Sequence, residues 1–183
     1  QYGTRRPVMP TSIFDMASVS KVVGTTTATM MLVDDGLLQL DAPVVQYLPW
    51  WARGDPRKSN VTVRQLLLHR TGLIPFRTWY YEMEGIDAYK EAAANEPLEV
   101  DPGVRTAYSD IGIITLAWVI EEISGQTLDA FLQDRLWTPL GMLETRYNPS
   151  STLRPRIAVT ETDTLYRNEM VWGTVHDENA DAM

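Results

Sequence analysis

The sequence predicts a helix-dominated globular fold with very little strand, on three observations. Apolar residues recur at helical spacing in five stretches, each with a start or stop signal. Only Met170-Val171-Trp172 reads as strand. Hydrophobic residues make up 44% and charged residues 22% of 183 positions, with 6 Trp, 8 Tyr and 8 Met, which is enough large side chain to fill a core and too much for a disordered chain. The length suits one domain or one and a half.

Residues 1–17, with Pro7 and Pro10, read as extended or irregular. From Ser18 the pattern turns helical: Val22, Thr26, Met30 and Val33 share a spacing, and Gly36 stops a helix over roughly 18–35. Residues 37–51 are turn-rich around Pro43 and Pro49, and 54–60 read as a polar surface loop. Thr62 is placed to cap a short helix through Leu66-Leu67-Leu68 to His69, ended by Gly72. Ile86 to Asn95 forms a weakly amphipathic helix closed by Pro97. Asp110 can cap a strongly apolar helix to Ile123, terminated by Gly125. Thr127 can cap a last helix to about Trp137, before Pro139. Residues 145–183 are polar, and no repeat or low-complexity segment stands out.

The formal charge of -8 opposes binding to a phosphate backbone, so a nucleic-acid partner is not expected. The most apolar stretch, Ile111 to Ile120, is half the length of a bilayer span. With no cysteine, these residues offer no disulfide, thiolate or Cys-ligated zinc. His69 and His176 are too scattered for a metal cage, and no metal or cofactor is expected. The lack of cysteine suits an exported, periplasmic or secreted protein. Gln1 is not an initiator, which predicts sequence upstream of it.

Ser18-Val19-Ser20-Lys21 has the form S-x-x-K. On a helix, residues three apart share a face, so Lys21 pairs with Ser18 and not with Ser20. A serine hydroxyl attacks only when a base takes its proton, and a helix N-terminus favours the negative charge that then develops. The tetrapeptide alone carries little weight: eight serines and three lysines produce it by chance ~0.1 times per chain of this length, so an ordinary exposed pair is equally open. Tyr108-Ser109-Asp110 precedes the apolar helix. A tyrosine there can exchange a proton with a serine beside a cation, or be a core residue with Asp110 merely capping.

Taken together and in order, these residues resemble the serine β-lactamase and penicillin-binding superfamily, in the class C-like branch that includes the family VIII carboxylesterases. The resemblance covers most of the chain. It takes in Ser18 to Lys21 and the Val22-Val23-Gly24-Thr25 helix, Asp35-Gly36-Leu37-Leu38-Gln39-Leu40-Asp41-Ala42-Pro43-Val44, and Val63 to Leu73. Pro102-Gly103, Tyr108 to Asp110, and Thr138-Pro139-Leu140-Gly141-Met142 with Thr145 extend it.

The resemblance implies an α/β (α+β), β-lactamase-like fold that pairs a helical subdomain with a helix-flanked antiparallel sheet. Residues 1–183 would be the N-terminal part of one such domain, mostly the helical subdomain. A C-terminal segment of the same gene product would carry the sheet and the third motif, a Lys-Thr-Gly or His-Thr-Gly strand with no match before Met183. Expressed alone, these residues would then expose the apolar faces meant for the sheet and would aggregate.

Residue by residue, Ser18 would be acylated, Lys21 would accept or relay its proton, and Tyr108 would be the phenolic partner that protonates the leaving group. Asp110 stands where many relatives have Asn, and its charge would hold Lys21 protonated and favour Tyr108 as the base. The expected reaction is acyl transfer to water from a small-molecule ester, with a D,D-peptidase or β-lactamase acting on a peptide-like substrate as the alternative. A non-catalytic binding module on the same fold is the rival from another class, but it has no need of Ser18, Lys21 and Tyr108 together. His69 is expected to be structural and His176 to lie in a loop bordering the site. Trp50-Trp51 and Trp79-Tyr80-Tyr81 are expected to pack in the core or a hinge rather than line an acyl pocket.

Overall fold

The computed structural model describes residues 7–183. The expectation of extended chain over 1–17 therefore falls partly outside the described residues. Of the remainder, Ile13 forms a parallel bridge with Ile157.

All five predicted helices are present. The first opens at Val19 and Ser20, continues as a π-helix over Lys21–Thr26 and runs on as α1, Thr27–Asp34. Its wide first turns have a local cause. The hydroxyl of Thr26 donates to the carbonyl of Lys21 at 2.9 Å and that of Thr27 to the carbonyl of Val22 at 3.0 Å, engaging oxygens that a regular helix would give to backbone N–H groups. The Val22–Met30 row that marks this helix in the sequence is not the face it buries. Val22 and Met30 are exposed, while Gly24, Thr25, Ala28, Thr29 and Leu32 face inward. Small residues win the inner face because they let two helices approach closely.

Helix α2, Val63–Leu67, starts on a full capping box: Thr62 accepts from the Gln65 N–H and Gln65 returns the bond. Helix α3 is Ile86–Asn95. Helix α4, Asp110–Ser124, is the core's axis, burying Ile111, Ile113, Leu116, Trp118, Val119 and Ile120. Each such side chain contributes about 1.5–3 kcal/mol. Its cap is Ser109, whose Oγ accepts from the Gly112 N–H, and not Asp110 as expected. The helix begins one residue later than the extended Ser109, which frees the Asp110 side chain for another partner. Gly125 ends α4 in the left-handed conformation, as predicted.

Helix α5, Leu128–Leu132, widens into a π-helix over Gln133–Trp137. Thr127 makes no side-chain cap; the Leu128 N–H is taken by Glu121 of α4 instead. No helix among the described residues is by itself long and apolar enough to cross a membrane.

Strand β2, Glu169–Val171, matches the predicted stretch and pairs antiparallel with an unpredicted β1, Glu161–Asp163. A short α6, Glu178–Ala182, was also absent from the sequence reading. The segment 54–60, expected as a polar surface loop, is a correction. It holds a 3-10 turn, Pro56–Asn60, and Lys58 within it is wholly buried. The Lys58 ammonium donates to the carbonyls of Ala93 (2.6 Å), Ala94 (3.0 Å) and Glu96 (3.4 Å), so it plugs the C-terminal end of α3. Trp51, also fully buried, lies beneath it and donates to the Thr115 hydroxyl. Trp50 meets Trp118 at 5.7 Å, and Trp79 meets Tyr89 at 5.7 Å, so these tryptophans pack in the core as expected.

Candidate active site

Ser18 sits at the mouth of the first helix, straight after a strained residue. Ala17 has φ of 44°, a conformation costly for any side chain. Asp15 compensates: one carboxylate oxygen accepts from the Ala17 N–H at 2.7 Å and the other from the His176 N–H at 3.0 Å. The chain is thus turned sharply into the helix and tied to the 174–178 loop, which puts His176 beside the segment that carries Ser18. The His176 ring nitrogen lies 3.1 Å from a Glu161 carboxylate oxygen.

One helical turn on, the Lys21 ammonium donates to Ser18 Oγ at 3.0 Å. The same nitrogen lies 2.9 Å from Asp110 Oδ1 and 5.1 Å from the centre of the Tyr108 ring. All four sequence-selected residues therefore meet, three of them around one nitrogen. Both members of the ion pair keep about a fifth of their side-chain surface in contact with solvent, 21% for Lys21 and 23% for Asp110. Ser20, two residues from Ser18, has no part in this cluster. Burial by itself pulls the Lys21 pKa down. The Tyr108 hydroxyl and the Asp110 carboxylate together outweigh it, and the pKa is raised above its ordinary value. In this arrangement Lys21 is a cation and a donor.

Tyr108 is held from behind by His69. The His69 carbonyl accepts from the Ala107 N–H at 2.8 Å, and its Nδ1 accepts from the Ser109 N–H at 3.1 Å. The two rings lie 4.6 Å apart. Burial and the nearby Lys21 charge lower the His69 pKa, which keeps the ring neutral and Nδ1 free to accept. His69 is structural, as expected, but its structure is that of the tyrosine's mounting. The strand-like run 107–109 is braced on its other side by Ile74, whose carbonyl takes the Ser109 hydroxyl at 2.8 Å, and by Pro75, whose carbonyl takes the Asp110 N–H at 3.1 Å. Gly72, just before this brace, lets the chain pass close to Val100. It has φ of 86°, and a Cβ there would stand 2.1 Å from the Val100 carbonyl oxygen.

No group of His, Cys, Asp and Glu among the described residues could hold a metal ion. The cluster is suited to moving one proton between a hydroxyl, a phenol and an amine, with a carboxylate fixing the amine's charge. Sequence reasoning missed two parts of this frame, Asp15 and the Ile74–Pro75 brace. Asp15 carried a signal, a carboxylate two residues before a residue that needs a turn, whereas the brace acts through backbone carbonyls that no side chain reports.

Comparison with known proteins places these observations in a wider set. The family described as Beta-lactamase matches residues 1–180. The chain is 35% identical over 162 residues to Penicillin-binding protein 4 of Amycolatopsis lactamdurans, covering 86% of this chain and 42% of that protein. It is 31% identical over 202 residues to the N-acetylmuramyl-L-alanine amidase of Bacillus subtilis (strain 168), covering 96% of this chain and 46% of that one. Among solved structures, a beta-lactamase/D-alanine carboxypeptidase from Yersinia pestis superposes with a TM-score of 0.75 at 20% identity, over 98% of this chain and 55% of that one. The chain spans less than half the length of the curated relatives it matches.

Proposed function

Because the chain belongs to the β-lactamase family, we propose that it works as a serine hydrolase through an acyl-enzyme on Ser18, with a carboxylic ester as substrate. The observation that carries this reading is the single nitrogen of Lys21, 3.0 Å from Ser18 Oγ and 2.9 Å from Asp110, with the Tyr108 ring beside it. An ammonium that donates to Ser18 cannot also accept the serine's proton. Tyr108, whose ring lies beside that cation, is therefore assigned as the base. It takes the Ser18 proton as Oγ bonds to the carbonyl carbon, then returns it to the departing alkoxide as the ester bond breaks. Water then attacks the acyl carbon as Tyr108 takes its proton, the bond to Ser18 Oγ breaks, Tyr108 returns that proton to Oγ, and the acid leaves. Asp110 keeps Lys21 charged throughout, and the helix N-terminus at Ser18 favours the negative charge of the transition state.

Treating the protein with a fluorophosphonate probe and mapping the adduct tests this. An adduct on Ser18 supports the reading. An adduct on Ser20, or none, removes it and leaves a binding module as the better account. The names of the relatives favour a second reading, cleavage of a peptide or amide bond in a cell-wall-like substrate. p-Nitrophenyl esters beside nitrocefin and a D-Ala-D-Ala peptide separate the two.

The domain reading has its own support. Val19, Val22, Val23 and Met30 are exposed along the first helix, and Phe14 and Met16 precede them. Such a row suits the helical part of a larger domain whose sheet lies over it.

A further inference from the structure

Four aromatic side chains form a continuous, partly open cluster on segments that hydrogen bonds tie to the Ser18 region. Phe76 meets Tyr80 at 6.4 Å, Tyr80 meets Tyr81 at 4.4 Å and Tyr166 at 4.7 Å, and Tyr81 meets Tyr166 edge-on at 5.8 Å. Aromatic groups this closely associated are usually sealed in a core. Here Phe76 is 38% exposed and Tyr81 60%, and Leu165 at the rim is 86% exposed.

The surface is rigid from below. Asn179 accepts from the Tyr89 hydroxyl at 3.0 Å and from the Tyr80 N–H at 3.3 Å, and donates to the Arg77 carbonyl at 2.8 Å, which fixes residues 77–80. Tyr166 is set by the Asp163 carboxylate, which accepts from the N–H groups of Leu165, Tyr166 and Arg167 at 2.9–3.0 Å. The Tyr81 hydroxyl donates to the Leu165 carbonyl and closes the two segments on each other.

Both ends of this shelf are anchored on the candidate site. At one end Pro75, next to Phe76, accepts from the Asp110 N–H. At the other, Arg167 donates to the carbonyls of His176 and Asp177, and the His176 N–H donates to Asp15, three residues before Ser18. A partly open aromatic shelf, its rings tilted against one another and braced toward both flanks of Ser18, is suited to receive part of a substrate held at that serine.

We propose that Phe76, Tyr80, Tyr81 and Tyr166 form a subsite for a neutral aromatic group of the substrate, a proposal that rests on the hydrolase reading of Ser18. Stacking and edge contacts with the exposed Tyr81 ring contribute most of the preference, since that ring has the most surface left to cover.

Hydrolysis of methyl acetate, phenyl acetate and methyl phenylacetate is followed by pH-stat for the wild-type protein, Tyr81→Ala and Tyr81→Phe. Comparing each variant with wild type cancels the intrinsic reactivities of the esters. In Tyr81→Ala the preference for at least one aromatic ester over methyl acetate falls about tenfold. Tyr81→Phe, which keeps the ring and loses the hydroxyl, retains the preference. An unchanged preference in Tyr81→Ala overturns the proposal. Should wild type turn over no ester, NMR line broadening of phenylacetamide against acetamide decides. Binding of phenylacetamide that is lost in Tyr81→Ala means the hydrolase reading fails and the shelf stands. Binding that is no stronger than acetamide's, or that survives in Tyr81→Ala, means the shelf fails as well.

Discussion

Two of the three lysines, Lys21 and Lys58, are each drawn out of bulk water, and they respond in opposite directions. Lys58 is completely buried and its partners are neutral carbonyls. Burial dominates there, the charges of Asp55 and Glu96 only partly offset it, and the pKa falls to about 8. Lys21 is less buried, and a carboxylate and a phenol face it directly, so its pKa rises. Depth alone therefore does not set the charge of a lysine; the sign of its nearest partners does. The first arrangement closes a helix end, and the second gathers the side chains of the candidate site.

The sharpest way to break this comparison is to remove the charged ends. Ser18→Ala and Lys21→Met each lower ester turnover by about 10⁴-fold or more while thermal unfolding stays near wild type. Ser20→Ala retains substantial activity. Full activity in Ser18→Ala would dissolve the distinction between the two regions.

Tyr108→Phe lowers turnover by about 10²–10⁴-fold with little change in substrate binding, because its hydroxyl acts only on the moving proton. Steady-state kinetics separate kcat from KM. Wild-type turnover would make the tyrosine structural.

Lys58→Met has the reverse profile. Three carbonyls at the end of α3 lose their donor, and denaturant unfolding records a loss of about 2–4 kcal/mol. Activity per folded molecule persists. The pH dependence carries a sign as well. The folded pKa of about 8 lies below the ordinary 10.5, so between those values the unfolded chain binds more protons than the folded one and stability rises with pH. Below pH 8 both states hold the proton and the contribution is flat. Lys58→Met abolishes that rise, and an identical slope in the variant would place the titration elsewhere.

The smallest effect is expected at Asp110→Asn. Removing this carboxylate takes away part of what raises the Lys21 pKa, so the alkaline limb of the rate profile, where Lys21 loses the charge the mechanism needs, moves to lower pH. A limb that stays or moves upward breaks the coupling between the two residues.

The sequence reading reached the helices because their signals are local. Thr62 and Gln65 cap α2, Gly125 ends α4, and α3 runs from Ile86 to Asn95 where the pattern placed it. It missed β1 and α6. Glu161-Thr162-Asp163 has no apolar alternation, and Glu178 to Ala182 has no apolar stripe, so both depend on what they pack against. The four site residues were found in two separate pieces of sequence. Ser18 and Lys21 follow from a three-residue spacing, while Tyr108 and Asp110 were joined to them only through the family resemblance.

By itself, then, the sequence determined what depends on neighbours along the chain: where helices begin and end, and which serine shares a face with Lys21. Tertiary structure alone decided what depends on neighbours across it. It turned the small-residue face of the first helix inward, gave the α4 cap to Ser109 and so freed Asp110 for Lys21, and buried Lys58 under the end of α3. The physical reason is the range of the interactions. Caps and side-chain spacing act within one or two turns, whereas burial and ion pairing act between residues brought together only when the chain is packed.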